Sequence, residues 1–293
     1  MPDHSLRCGS HTLTWSPGRP LVMGIVNLTP DSFSGDGLHR RVDAAFDQAM
    51  RMIADGADLL DIGAESTRPG ASAVGEDEEL DRLLPLLTRL SDAGVPVSVD
   101  TAKARVMNEA IRLGAGLVND VSALRDPAAA AILAPHECVS VCLMHMQGEP
   151  RSMQAAPAYS DVVADVRAFL QAAATAAIAA GIGRERLILD PGFGFGKTFA
   201  HNQQLFRALP DLVADGFPVL VGVSRKTMIG HILDRPVDDR VTGSVAAALL
   251  AAQYGAAMVR VHDVAQTVDA LRVFQTLGRL PIGCSTGGRA GDA

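Results

Sequence analysis

Lysine is nearly missing from this 293-residue chain: of 26 basic Lys and Arg side chains, only Lys103, Lys197 and Lys226 are lysines. Lysine is a compact, flexible point charge and arginine a rigid fork, so a chain that otherwise prefers arginine keeps lysine where the fork would not fit. All three follow apolar runs, in VSVDTAK, LILDPGFGFGK and VLVGVSRK. One such lysine alone reads as a solvated surface charge; three in the same kind of position are harder to dismiss. Aromatics are scarce as well, at 4% with a single Trp, so the core must be aliphatic. The four cysteines, Cys8, Cys138, Cys142 and Cys284, have neither CxxC spacing nor histidines at zinc-finger spacing, as expected of a reduced, cytoplasmic protein. A net charge of −7 without any basic stripe argues against nucleic acid or a membrane surface as partner. The opening MPDHSLRCGSHTLTW lacks the pattern of a signal peptide, and no apolar stretch of membrane length is expected free of Gly, charged or polar breaks.

What is there is a rhythm. Eight short β-rich runs, LVMGIVN, DLLDIGAE, VPVSVD, GLVND, CVSVCLMH, LILD, PVLVGVS and AMVRVH, alternate with helical patterns, among them the Ala-rich stretches 172–180 and 246–257. Runs without polar alternation are strands buried on both faces, so the pattern predicts an α/β fold, a (β/α)8 TIM barrel. Barrel active sites gather at strand C-terminal ends. Here that rule selects Asn27, Glu65, Asp100, Asp120, His145, Asp190, Ser224 and His262. The alternation over Leu6–Trp15 predicts a short N-terminal β-hairpin that plugs the other end. Residues 1–283 are expected to form one domain and 284–293, CSTGGRAGDA, a disordered tail. Two long loops, LTPDSFSGDGLHR after Asn27 and IGAESTRPGASAVGEDEE after Asp61, have the composition and length of lids.

Asp100, Asn119, Asp120 and Asp190 bring three carboxylates and an amide to neighbouring strand ends, with Lys226 nearby. A carboxylate accepts two parallel hydrogen bonds, which suits a flat heterocycle presenting N–H and amino donors. Each aspartate alone is equally well read as a helix cap. Arg260 and His262 leave the last run as RVH, while Asn27, Thr67 and Arg68 lie in the long loops; together they suit diphosphate, with the Asn27 amide oxygen available to Mg²⁺. GFGFGKT is not a P-loop, because the position five before Gly196 is Pro191, and Lys197 spoils the dinucleotide-binding pattern.

Taken together, MGIVNLTPDSFSGDG, IGAESTRPGA, VSVDT, NDVSA, CLMHMQG, LDPGFGFGK, VGVSRK and RVHDV resemble the dihydropteroate synthase family of pterin-binding barrels over nearly the whole chain. The resemblance implies a transferase that condenses a dihydropterin methyl diphosphate with 4-aminobenzoate, with Mg²⁺ assisting, and a homodimer joined through barrel helices. It implies that Asp100, Asn119, Asp190 and Lys226 grip the pterin, with Met144, Phe195 and Gly222 lining its pocket. It places 4-aminobenzoate against Thr67, Pro69, Ser224, Phe33 and Lys226. It gives diphosphate to Asn27, Thr67, Arg68, Arg260 and His262, the metal to Asn27, and catalysis to Asp100, Lys226, Arg260 and His262. The chain departs from the family pattern at Ala64, where a second glycine is common, and after Lys103, where proline is frequent. The rival readings are a methyltetrahydrofolate-dependent methyltransferase on the same barrel and a non-catalytic ligand-binding paralogue. Of the three lysines, Lys226 is expected in the site, Lys197 bracing it or ordering the next helix, and Lys103 without a ligand.

Overall fold

The computed structural model describes residues 4–28, 38–66, 73–149 and 152–278. Thr67, Arg68, Pro69, Phe33 and the expected tail 284–293 lie outside the described residues. The chain opens with an antiparallel hairpin, β1 (His4–Cys8) and β2 (His11–Trp15). Parallel strands then alternate with helices: β3 (Leu21–Asn27), α1 (Leu38–Ala54), β4 (Leu59–Gly63), α2 (Glu76–Leu90), β5 (Val97–Asp100), α3 (Ala104–Arg112), β6 (Leu117–Asp120) and α4 (Pro127–Leu133). The second half runs β7 (Ser140–Met144), α5 (Val162–Ala179), β8 (Leu187–Asp190), α6 (Phe199–Arg207), α7 (Leu209–Ala214), β9 (Leu220–Val221), α8 (Thr227–Leu233), α9 (Val241–Gln253), β10 (Met258–Val261) and α10 (Val264–Leu277). The strand order is β8-β7-β6-β5-β4-β3-β10-β9. A single bridge, Leu189 to Val219, joins the two ends and closes the barrel.

The helices start where local chemistry starts them. Asp161 accepts from the amides of Val163 and Ala164 at the head of α5, and Asp126 caps α4 ahead of Pro127. Each such cap is worth about 1 kcal/mol. By length and composition alone α5 could cross a membrane, but Asp165, Arg167, Gln171 and Thr175 interrupt its apolar run, in line with the sequence expectation. It carries Arg167, whose Nε lies 2.7 Å from an Asp215 carboxylate oxygen, and its face with Val162, Val166, Leu170, Ala174 and Ala177 is buried.

Alternate residues along each strand face opposite ways. Val22, Leu60, Val99, Val118, Val141 and Val259 pack outward under the helices in the larger apolar cluster. Leu21, Leu59, Leu117, Ile188, Leu220 and Met258 belong instead to a second cluster that includes Leu6, Cys8, Leu13 and Trp15 of the hairpin. The hairpin therefore plugs the N-terminal end as expected, tied by Gly9 N–H to the Cys138 carbonyl (2.7 Å) and Ser140 Oγ to the Arg7 carbonyl (2.6 Å). Gly116 permits that approach, because a Cβ there would sit 2.5 Å from the Cys8 carbonyl carbon. Gly116→Ala is expected to cost about 2 kcal/mol or more, since rigid backbone must move; urea unfolding with an unchanged midpoint would contradict this.

Candidate functional site at the barrel mouth

The inward-facing series that begins in apolar side chains ends in polar ones. Two residues beyond Leu59 comes Asp61, beyond Leu117 comes Asn119, beyond Ile188 comes Asp190, and beyond Met258 comes Arg260. The strand registers pair Asn27 with Gly63, Gly63 with Asp100, and Asp100 with Asn119, which draws these positions into one rung around the rim.

Arg260 is the hub. Its Nε donates to Asp61 Oδ2 at 2.6 Å and its Nη2 to Asp100 Oδ2 at 2.8 Å. Asn119 Nδ2 donates to the same Asp61 oxygen at 3.1 Å. Asp61 is wholly buried, yet its Oδ1 and the Asn119 Oδ1 have no hydrogen-bond partner among the described residues. Burial pushes the Asp100 carboxyl up to about 7; Arg260 opposes that rise, and Asp61, Glu79 and Asp120 add to it. Burial lowers the Arg260 guanidinium, but Asp61 and Asp100 outweigh it and leave the group firmly protonated.

Across the mouth, Asp190 Oδ1 accepts the Gly192 amide at 2.7 Å. Burial raises its pKa, while Lys226, Lys197 and Arg260 pull it back. Lys226 Nζ donates to the Phe193 carbonyl at 2.6 Å and sits 4.7 Å from the Phe195 ring centroid. Burial lowers it to about 8 against the pull of Asp190. Phe195 packs on the buried cluster of Met144, Val121, Met146 and Met153. A Cβ at Gly222 would stand 3.9 Å from Lys226 Nζ and 3.8 Å from Arg260 Cβ. Ser224 Oγ and His262 Nδ1 are 3.0 Å apart, so two residues expected on different substrates form one pair.

The structure thus brings together Asp100, Asn119, Asp190, Lys226, Arg260, Met144, Phe195 and Gly222, with Asn27 on the same rung and Ser224 paired to His262. Other strand-end residues do different work. Asp120 turns into its own loop, taking the amides of Ser122 and Leu124 at 2.7 Å each, and so it ties that loop and does not cap the next helix, whose cap is Asp126. Glu65 accepts the Val74 amide at 3.0 Å and the Lys103 ammonium, which also reaches buried Glu79. Lys103 is therefore a structural tie. His145 Nδ1 is 2.8 Å from Lys197 Nζ, and burial followed by that cation lowers the imidazole to about 3. Ala64 fits its turn as a buried residue whose carbonyl accepts from Arg82 at 2.9 Å.

Sequence reasoning did not select Asp61. The signal was present: an acid inside the apolar run LLDIG of a strand buried on both faces has no place unless something polar meets it.

A barrel with paired buried carboxylates, two cations and unpartnered acceptors at its C-terminal mouth defines an enzyme that binds a flat polar ligand. The family described as pterin binding enzyme matches residues 23–262. The chain is 50% identical over 257 residues to the dihydropteroate synthase of Haemophilus influenzae, covering 87% of this chain and 93% of that one. The structure of Xanthomonas albilineans dihydropteroate synthase with 4-aminobenzoic acid superposes with a TM-score of 0.89 at 52% identity, over 96% of this chain and 100% of that one. The same enzyme in complex with 7,8-dihydropteroate gives 0.84 at 49% identity, over 94% and 100%. The chain belongs to the dihydropteroate synthase family of pterin-binding enzymes.

Proposed function

We infer that the chain is a transferase of folate biosynthesis, condensing (7,8-dihydropterin-6-yl)methyl diphosphate with 4-aminobenzoate to give 7,8-dihydropteroate and diphosphate. The observation that carries the ligand chemistry is the pair of buried acceptors, Asp61 Oδ1 and Asn119 Oδ1, beside Asp100, neither of which has a partner among the described residues. A buried acceptor without a donor costs about 1–3 kcal/mol, and a pterin edge rich in N–H and amino donors relieves that cost on binding. Asp190 and Lys226 face the ring from the other side, over the surface made by Met144 and Phe195.

In the reaction, the bond between the exocyclic carbon and the diphosphate oxygen breaks, the ring takes up positive charge, and the aminobenzoate nitrogen attacks and loses its proton. Asp100 holds a carboxylate against the ring as that charge develops, a preorganised electrostatic contribution. Arg260 and His262 receive the departing oxygens, with Asn27, Thr67 and Arg68. Ser224, hydrogen-bonded to His262, orients aminobenzoate together with Lys226, Thr67, Pro69 and Phe33. Asn27 also suits Mg²⁺: the ion commonly takes only one or two protein oxygens and completes its shell with phosphate and water, and the Asn27 amide oxygen is on the Asp100 side of Gly63, where a Cβ would meet both residues. Held there, Mg²⁺ would neutralise charge on the leaving diphosphate. The cytoplasmic setting proposed for the chain agrees with Cys8 and Cys142, buried thiols whose pKa burial raises.

A second copy of the chain is proposed to cover α8 to α10, which carry exposed Ile232, Leu250, Val273 and Leu277. Sedimentation should give a dimer that Leu250→Asp with Val273→Asp weakens at least tenfold; a monomeric parent protein would refute it. The functional reading is tested by measuring diphosphate release with the pterin diphosphate and Mg²⁺, with and without 4-aminobenzoate. Product requires both organic substrates, and folded protein that forms no dihydropteroate would overturn the reading. Methyl transfer from methyltetrahydrofolate would instead favour the related barrel methyltransferases.

A further inference from the structure

Lys197 is 3% exposed, yet it forms no ion pair among the described residues. Its ammonium reaches His145 Nδ1 at 2.8 Å, the Gly192 carbonyl at 2.9 Å and the Phe195 carbonyl at 3.1 Å. Its donors are therefore spent on one histidine, at the ring and, at 3.5 Å, the carbonyl, and on two carbonyls of a single turn. That turn, Gly192–Gly196, presents the Phe193 carbonyl to Lys226 Nζ and lays the Phe195 ring beside it. It is wedged against the exit of β7, because a Cβ at Gly192 would fall 1.8 Å from the His145 carbonyl oxygen. The Tyr159 hydroxyl pins its far end by donating to the Gly196 carbonyl at 2.7 Å.

We propose that Lys197 is a positioning residue, holding the Gly192–Gly196 turn so that the Phe193 carbonyl and the Phe195 ring aim the Lys226 ammonium into the pterin site. The inference rests on the role given to Lys226 above. A closed nest of the two turn carbonyls and one histidine suits a compact ammonium better than a planar guanidinium, which explains why a chain so rich in arginine keeps lysine here. Burial lowers the Lys197 ammonium to about 7, and either protonation state retains N–H groups for the two carbonyls.

A double-mutant cycle separates positioning through Lys226 from a purely structural role. Lys197→Met and Tyr159→Phe are each made in the parent chain and in Lys226→Ala. Dihydropterin binding is read by fluorescence titration, kcat/KM is read for the pterin diphosphate, and folding is read by circular dichroism. Misplacing a catalytic group by an ångström costs on the order of a hundredfold. Lys197→Met should therefore weaken dihydropterin binding and lower kcat/KM by tenfold or more, on the order of that figure, in the parent. In Lys226→Ala the same change should do about twofold or less, the signature of a shared interaction. Tyr159→Phe should show the same asymmetry more weakly, and it decides the matter if Lys197→Met does not fold. Equal losses in both backgrounds would overturn the inference and leave the function standing. A Lys226→Ala protein as active as the parent would overturn the inference together with the role given to Lys226, and would likewise leave the function standing.

Discussion

Lys226→Ala is expected to lower kcat/KM for the pterin diphosphate by about a thousandfold, the upper range for removing one preorganised electrostatic group, with little change in the unfolding midpoint. The asymmetry follows from burial. Lys226 has a pKa lowered to about 8, so the fold holds fewer protons on it than the unfolded chain does between pH 8 and 10.5. Stability therefore rises with pH across that window, which means the charged ammonium is unfavourable to the fold, and its removal should cost the fold little. Activity has the opposite sign: kcat/KM should fall as pH rises through about 8, because the ammonium is lost. In Lys226→Ala that alkaline limb should vanish. With the cation that pulls it down most gone, Asp190 should also titrate at higher pH. A variant that keeps the limb near pH 8, or that loses stability in proportion to activity, would remove Lys226 from the chemistry.

The barrel was legible because parallel strands enclosed on both faces must be written as short aliphatic runs, and each of the eight runs became a strand. The ladders are shorter than the runs. PVLVGVS spans seven residues, but only Leu220 and Val221 form a strand, because β9 pairs with β10 on one side and meets β8 only through the Leu189 to Val219 bridge. The hairpin was legible from its alternation, and its plugging role from the need to cover the open apolar end of the barrel.

The site was legible at strand ends and obscure one layer deeper. Asp61 lies two residues before the end of β4, where a rule about termini does not look. Its partners Asn119 and Arg260 are 58 and 199 residues away, and no local pattern encodes such a meeting. Side-chain direction also had to come from the structure: adjacent Asn119 and Asp120 face opposite ways, so one joins the site and the other caps a loop. The lysines divide by enclosure. Lys103 has carboxylates at hand and ties Glu65 to Glu79, Lys197 has only carbonyls and a ring, and Lys226 stands over an aromatic face at the mouth.

The other large effect should come from Arg260→Met, and here stability is what fails. The guanidinium is the cation bridging Asp61, which is fully buried, and Asp100, whose side chain is 13% exposed. Breaking a buried ion pair by removing one partner costs about 3–5 kcal/mol, because the stranded charge has neither water nor counterion. Asp100, already pushed up to about 7 by burial with Arg260 holding it down, rises further once the guanidinium is gone and so takes up a proton more readily. A group raised in this way stabilises the fold at low pH and loses that contribution as pH climbs through the folded pKa. The deficit of Arg260→Met against the parent should therefore be small near pH 5 and approach its full size by pH 8. Adding Asp61→Asn should recover part of it at pH 8, since the substitution removes one stranded charge while keeping an acceptor for Asn119. Urea unfolding of the three proteins at both pH values measures this directly. A deficit independent of pH, or a double variant weaker than Arg260→Met, would mean that Arg260 supports the barrel by packing and not by balancing the acids beneath the pterin site.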